Sequence, residues 1–427
     1  MRILNLIPRY YPAHGGAERH LQAIAQRQAA AGHEVTVLTT DALPFELFWQ
    51  LGLPRIPQAE EIHDQVRIVR LPVRHLPLTP GSYHAVRRLL WLLSRLPVPA
   101  SVSHRVARWT PYVPALRPWL AASVEPFDLV VGFNICYETF LEAAWQFARR
   151  RRIPFIVHPF THLGAGAQPG RDALSQFYTM RHQVALVRAS QAAVMMTAAE
   201  QRFYATQGIP LARLPVLGTG VNPADVLGGD GERWRWQHGV KQPLLLSLST
   251  MSVDKGTVQT VEAVRILWRQ GTQVVLALAG GITTPFQRYL EQLPAADRAH
   301  LLVLGAVDDA VRRDLLAACD IFIMPSRVDS FGIVYLEAWL YGKPVIGAEA
   351  WGVKEGVITP PQDGLLVPFG DAPALAAAIA RLLQDPALAA RMGQQGQAKV
   401  HAHHTWDHIL PQVEMLYKQV VQGEDNN

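Results

Sequence analysis

The stretch "DIFIMPSRVDSFGIVYLEAWLYGKPVIG", Asp320 to Gly347, spells strand, loop, helix, strand. Its apolar runs are short, bounded by turn residues, and separated by a segment that opens on Phe331-Gly332. Two carboxylates flank that opening, Asp329 in the loop and Glu337 one to two turns into the helix. Gly332 allows a ligand close to the backbone, the amides from Ile333 onward point at an anion, and the carboxylates accept hydrogen bonds from hydroxyl groups. A molecule with hydroxyls at both ends and phosphates between them fits this spacing. A nucleotide sugar is such a molecule, with Asp329 expected on the hexose and Glu337 on the ribose.

The same unit recurs along the chain. "RILNLI", "EVTVLTT", "VRIVRLPV", "DLVVGFN", "PFIVHPF" and "AAVMMTA" alternate with helical segments such as "GGAERHLQAIAQRQAAAGH", which Gly32 closes. After the Gly-rich, charged stretch "ADVLGGDGERWRWQHGVKQP" the alternation restarts with "PLLLSLST", "QVVLALAGG", "HLLVLGAV", "DIFIMPS", "KPVIGAEA" and "DGLLVPF". Such alternation predicts an α/β fold class, with doubly wound parallel sheets covered on both faces. At 427 residues the chain exceeds one core. Residues 1–215 are assigned to a first domain and 216–404 to a second, with helical segments from about Asp371, Asp385 and Thr405 closing the chain. The tail "QGEDNN" reads as disordered. Open α/β sheets bind ligands at the carboxyl ends of their strands, so a cleft between the two domains is the expected place for a site.

Nearly half the residues are apolar and 18% are charged, which excludes a disordered chain. No run of about 18 apolar residues offers a membrane span, and the interrupted "MRILNLIPRY" reads as a first strand and not as a signal peptide. The two cysteines, Cys136 and Cys319, fit a reducing cytoplasm. Residues 1–215 carry 23 arginines, no lysine and 13 carboxylates, a net +10, which leaves −5 for the rest of a +5 chain. A basic first half suits an acidic partner, and the leucines, Trp91 and arginines of "HAVRRLLWLLSRL", together with the tract Arg149 to Arg152, suit an anionic membrane surface. No nucleic-acid-binding module accompanies the arginines, so a nucleic-acid partner is not expected.

Other residues could join the chemistry. Gly15 and Gly16 end the first strand and open a helix, giving amide donors that suit a phosphate or a sugar oxygen. They do not match the dinucleotide fingerprint. His158 and His162 end the strand of "IPFIVHPFTHLG", where either could contact a phosphate, a sugar hydroxyl or an acceptor. Lys255 follows the first strand of the second half beside Gly256, placing a mobile cation where a diphosphate would build charge.

"GGAERHL", "LPVLGTGV", "DKG", "LAACDIFIMPS", "DSFGIVYLEAWLYGKPVIG", "GVKEGV", "DGLLV" and "TWDHILPQVEMLY" resemble, in that order, the retaining nucleotide-sugar glycosyltransferases of family four. The resemblance implies the GT-B architecture: two facing Rossmann-like domains and a C-terminal helix, here 405–427, that crosses back to the first domain. It implies hexose transfer from a nucleoside diphosphate sugar, UDP- or GDP-linked, to a hydroxyl acceptor, without metal and without another cofactor. It ties Lys255 to the diphosphate, Asp329 to the sugar hydroxyls, the region of Phe331, Gly332 and Ile333 to phosphate, and Glu337 to the ribose. Gly16 would lie near the same phosphates, with a first-domain histidine near the sugar. There are three departures. Thr250 stands where the family commonly has arginine, Asp329 where it usually has glutamate, and Phe160 at the commonest histidine position. Arg19 is a candidate replacement cation. The alternative is a catalytically weak, nucleotide-sugar-binding or scaffold subunit.

Overall fold

Runs such as "RILNL" and "LLLSL" lack alternation, so they are stable only where both faces are covered. They become the first strands of two parallel sheets. The computed structural model describes residues 1–423, in two compact units. Met1–Thr161, Ala173–Gly218 and the chain from Leu410 form one unit; His162–Asp172 and Thr219–Ile409 form the other.

The first unit contains β1 (Arg2–Leu6), β2 (Glu34–Thr40), β3 (Glu60–His63), β4 (Val66–Leu71), β5 (Leu129–Phe133), β6 (Phe155–His158) and β7 (Ala192–Ala193), in the order β3-β4-β2-β1-β5-β6-β7. The chain winds outward from β1 through β2 and β4, then restarts at β5 on the other side of β1. The switch point therefore lies at the carboxyl ends of β1 and β5. Every pairing is parallel except the edge pair β3–β4. Parallel sheets alone were expected, and the exception has a local cause: Asp64 and Gln65, both at positive φ, make a two-residue hairpin turn. The strand they add presents Glu60 and Glu61 at the edge, where charge discourages further pairing.

The second unit contains β8 (Leu244–Leu248), β9 (Val275–Ala279), β10 (Leu301–Gly305), β11 (Ile321–Met324), β12 (Val345–Ala348) and β13 (Gly364–Val367), in the order β10-β9-β8-β11-β12-β13, all parallel. Here the switch point lies between β8 and β11, which pair through Ile321 with Leu245 and Phe322 with Leu246. Each unit has its own apolar core, one around Leu4, Val130, Phe140 and Phe147, the other around Leu245, Val264, Ile323 and Ile346.

The closing helices form as expected. Asp371 and Asp385 accept hydrogen bonds from the amides of Ala374 and Leu388, capping Ala372–Gln384 and Pro386–His403. The last helix, Trp406–Gln422, joins the first unit from Leu410, where Tyr417 Oη meets His158 Nε2 at 2.9 Å and Glu414 meets His33 at 3.0 Å. Of the expected tail, Gln422 ends this helix, and residues 424–427 lie outside the described ones.

The chain leaves the first unit at Gly218, close to the expected residue 215. The grouping of His162–Asp172 with the second unit was not anticipated. Its cause is a pair of hydrogen bonds from Trp351, its amide to the Gly164 carbonyl and its indole Nε1 to the Gly166 carbonyl, both 2.9 Å. No helix among the described residues is long and apolar enough to cross a membrane.

Candidate functional site

The strongest constellation sits at the switch point of the second unit. β8 ends at Leu248 and its loop carries Lys255; β11 ends at Met324 and its loop carries Asp329. Three contacts zip these loops together. The Arg327 amide donates to the Asp254 carbonyl at 3.0 Å, the Arg327 guanidinium binds Asp254 Oδ1 at 2.7 Å, and Gly256 lies against Pro325. Gly256 has φ +74°, and a Cβ there would fall 2.3 Å from the Pro325 carbonyl oxygen, so both strain and space demand glycine. The result puts Lys255 Nζ 2.7 Å from Asp329 Oδ1, with the two side chains 24% and 14% exposed.

Asp329 Oδ2 is buried and meets no partner within hydrogen-bond geometry, although the nearby Ser326 side chain helps hold the carboxyl in its charged form. A buried acceptor left open is costly unless something donates to it. Burial pushes the Asp329 carboxyl towards the neutral form, but the Lys255 ammonium beside it outweighs burial and holds the carboxyl below its ordinary range. The site thus keeps a charged carboxylate with one oxygen on a lysine and the other available to a hydroxyl.

Gly332 opens the helix Ile333–Leu340 at φ +92°, and a Cβ there would meet the Tyr335 ring at 2.6 Å. Tyr335 is fixed in turn by its hydroxyl, which donates to the Met324 carbonyl at 2.5 Å. The helix therefore starts close against β11, with its first amides at the positive end of the helix dipole. Phe331 is 2% exposed and packs against His404, so its side chain is structural and only its backbone is left for the expected phosphate contact. Ile333 is half-buried at the first helical position and Thr250, at the end of β8, is exposed.

Glu337 is 3% exposed, and its Oε1 is 2.8 Å from Arg312 Nη1. Arg312, which the sequence did not single out, also binds Asp309 and the Asp225 carbonyl. The carboxylate expected to serve the ribose is thus already shared with a guanidinium.

His162 enters the same constellation through the strap that Trp351 holds. Trp351 begins the short helix Trp351–Lys354, and Gly352 presses this helix on the Asp329–Ser330 backbone, where a Cβ would fall 2.6 Å from the Ser330 carbonyl oxygen. His162 consequently feels both Asp329 and Lys255. Burial, opposed by Asp329 and aided by Lys255, lowers its pKa to about 4, so the ring is neutral at pH 7.

His158 departs from expectation. It is 0% exposed, stacked on Phe133 and hydrogen-bonded to Tyr417, so it belongs to the packing of the last helix on the sheet and presents no surface to a ligand. Phe160 at φ +51° and His20, 5.5 Å from the His158 ring, fill the same interior.

Gly15 and Gly16 lie in the first unit beyond the loop that follows β1, which ends at Leu6; Gly15 is the N-cap and Gly16 the first residue of the helix Gly16–Ala30. The buried pair Arg9–Glu18, 2.7 Å apart, shapes this turn: Arg9 Nη2 donates to the His14 carbonyl, and a Cβ on Gly15 would strike the Glu18 carboxylate at 2.2 Å. Gly16 faces open space. Arg19 is half-buried in the first turn of this helix. Among the described residues, no three His, Cys, Asp or Glu side chains are arranged to hold a metal ion.

Known proteins share this organisation. Residues 14–225 match the family model Glycosyltransferase Family 4, and residues 230–399 match Glycosyl transferases group 1. Glycogen synthase of Mycobacterium tuberculosis is 25% identical over 99% of this chain and 96% of its own length. A GDP-mannose-dependent monoacylated alpha-(1-6)-phosphatidylinositol monomannoside mannosyltransferase of Corynebacterium glutamicum is 32% identical over 39% of this chain and 44% of its own. Among solved structures, sucrose-phosphate synthase of Thermosynechococcus elongatus superposes with TM-score 0.72 at 22% identity, covering 99% of this chain and all (100%) of that one. Anabaena Alr3699/HepE in complex with UDP-glucose gives 0.69 at 20% identity, over 98% and 100%. With both parallel-sheet units matched by its models, the chain belongs to the glycosyltransferases of family four and has the GT-B fold.

Proposed function

We propose that this glycosyltransferase moves a hexose from a nucleoside diphosphate sugar to a hydroxyl acceptor, with retention at the anomeric carbon and without a metal ion. The observation that carries the reading is the buried Asp329 Oδ2, with no partner within hydrogen-bond geometry, held beside Lys255 and the Gly332 helix start at a topological switch point. Asp329 would take a sugar hydroxyl on Oδ2 and position the ring. Lys255 and the amides near Gly332 and Ile333 would stabilise the diphosphate as its bond to the sugar breaks and negative charge builds on the leaving oxygen. Neutral His162 is able to donate one hydrogen bond and accept another near the transferred sugar. The incoming hydroxyl would approach on the face the diphosphate leaves. With both cysteines free, we assign the protein to the reducing cytoplasm, where its arginine-rich first unit is suited to an anionic membrane face.

The decisive experiment is incubation of the purified protein with UDP-, GDP- and ADP-sugars, read by mass spectrometry. UDP-glucose and GDP-mannose lead the panel because the Anabaena structure holds the first and the mannosyltransferase relative is named for the second. Transfer or slow hydrolysis of any donor supports the reading. Binding with neither, across the panel and candidate acceptors, favours a nucleotide-sugar-binding subunit, for which exposed Thr250 in place of arginine is the motive.

Glu337→Gln tests the ribose contact. It should weaken UDP or GDP binding about tenfold, the worth of one or two hydrogen bonds to a charged acceptor. The same substitution should leave the affinity for the 2′,3′-dideoxy nucleotide nearly unchanged, as read by titration calorimetry. Equal losses for both ligands would assign Glu337 to holding Arg312 alone.

A further inference from the structure

The helix Gly81–Arg95 is turned partly inside out. Its buried positions are Tyr83, Arg87 and Leu90, so an arginine points inward. Its outward positions include Arg88, Leu89, Leu92 and Arg95, followed by Leu96, spaced three and four apart on one face. Leu89, Leu92 and Leu96 are 44%, 52% and 51% exposed, and Leu78, just before the helix, is 90% exposed. The neighbouring helix Ala100–Ala107 adds exposed Val102 and Arg105, followed by Arg108 and Trp109. Leucines placed outward at helical spacing, while an arginine is taken inside, are not the leftovers of an ordinary solvated face.

Charge along this stretch of chain has one sign. Residues 66–124 contain nine arginines and no Asp, Glu or Lys. Although Arg67, Arg70, Arg87, Arg108 and Arg117 meet carboxylates from other elements, Arg88, Arg95 and Arg105 are exposed beside the leucines. Arg108, at the edge of this face, reaches the Glu142 carboxylate, whereas the partners of Arg95 are neutral. Arg95 lies 3.8 Å over the Trp91 ring and reaches the Gln176 side-chain oxygen, and Arg181 donates to the Leu96 carbonyl at 2.6 Å. A cavity of about 350 Å³ opens at the C-terminal end of the helix, lined by Leu93, Leu96, Val98 and Val184 with Arg181 and Arg188 beside them.

We infer that this face docks on an anionic lipid bilayer, with Leu89, Leu92 and Leu96 entering the headgroup boundary and Arg88, Arg95 and Arg105 meeting lipid phosphates. Leucines flanked by arginines are the arrangement by which an interfacial helix gains both apolar burial and attraction to negative lipid. A second copy of the chain is a poorer occupant, because a two-fold contact would set these arginines against themselves. The tract Arg149 to Arg152 has a different role. Arg149, Arg150 and Arg151 close the helix Glu138–Arg151 at its negative end, and Arg151 donates to the Ser123 carbonyl. The inference does not depend on which sugar is transferred, and failure of the donor screen would leave it standing.

The test is co-sedimentation of the full-length protein with vesicles of phosphatidylcholine alone or with 30 mol% (~30%) phosphatidylglycerol, at low and high salt. Binding to the anionic vesicles only, weakened by salt, is expected. Leu89→Ser/Leu92→Ser/Leu96→Ser and Arg88→Ser/Arg95→Ser/Arg105→Ser should each lower the partition coefficient roughly tenfold or more, while melting temperature and nucleotide affinity stay at wild-type values. Absence of binding to anionic vesicles at low salt would overturn the inference. So would wild-type binding by both triple variants, or a dimer in sedimentation velocity that the leucine variant dissociates while vesicles go unbound.

Discussion

Replacing Lys255 with alanine should lower sugar transfer by about a hundredfold or more, the usual loss when a preorganised charge is removed from a developing anion. The structure adds a second consequence. Lys255 Nζ is 2.7 Å from Asp329 Oδ1 in a site only 24% and 14% exposed, so the substitution also strands a carboxylate that burial already disfavours. The Asp329 pKa then rises, and a displaced or protonated Asp329 becomes a second source of lost activity. Binding measurements separate the two causes. If Lys255 meets the diphosphate, Lys255→Ala weakens UDP or GDP far more than the bare nucleoside, which has no phosphate to lose. If it only holds Asp329, both ligands are affected alike. Unchanged turnover would remove Lys255 from the site altogether.

What the sequence revealed about this site follows from what each signal encodes. Strand ends, helix starts and the glycines between them are local, so Lys255, Asp329 and Gly332 could be placed at the ends of β8 and β11 from the order of elements alone. Strand order then made Lys255 and Asp329 neighbours, because β8 and β11 flank the switch point. Side-chain partners are not local. Arg312 lies 25 residues before Glu337, and nothing in "DDAVRRDLL" marks one of its two arginines as the inward one. The histidines show the same limit. His158 and His162 are four residues apart on one strand end, yet one is sealed by Tyr417, 259 residues away, and the other is carried by the Trp351-bound strap to Lys255 and Asp329. The sequence marked "HAVRRLLWLLSRL" as amphipathic but could not tell which arginine of the helix Gly81–Arg95 was buried, because that choice is made by Glu138.

Glu138→Gln should be the most destabilising of these substitutions, at about 3–5 kcal/mol, since it leaves an arginine charged and buried without its counterion. Arg87 Nη1 lies 2.9 Å from both carboxylate oxygens of Glu138, and His182 Nε2 lies 2.9 Å from Oε1; the Glu138 side chain is 0% exposed. Burial alone would raise the Glu138 pKa, but the Arg87 charge and the His182 hydrogen bond outweigh it and lower the pKa from 4.5 to about 2. A depressed folded value means stability that is fully present above the unfolded pKa and lost as pH falls from 4.5 to about 2, in all about 3 kcal/mol. Urea unfolding across that range should show a steeper loss of stability in the wild type than in Glu138→Gln, the difference being the Glu138 contribution. The double variant Arg87→Leu/Glu138→Leu replaces both charges with apolar groups and should recover most of the stability, because the desolvation cost disappears with the ions. Arg87 also fixes the rotation of its helix. With Glu138 gone, an unpaired Arg87 gains by turning towards water, and that roll would carry Leu89 and Leu92 inward, whereas the apolar side chain that replaces Arg87 in the double variant would keep the inward position filled. Vesicle binding should therefore fall in Glu138→Gln and persist in the double variant; wild-type stability and binding in Glu138→Gln would show that this buried pair neither holds the unit together nor orients the helix.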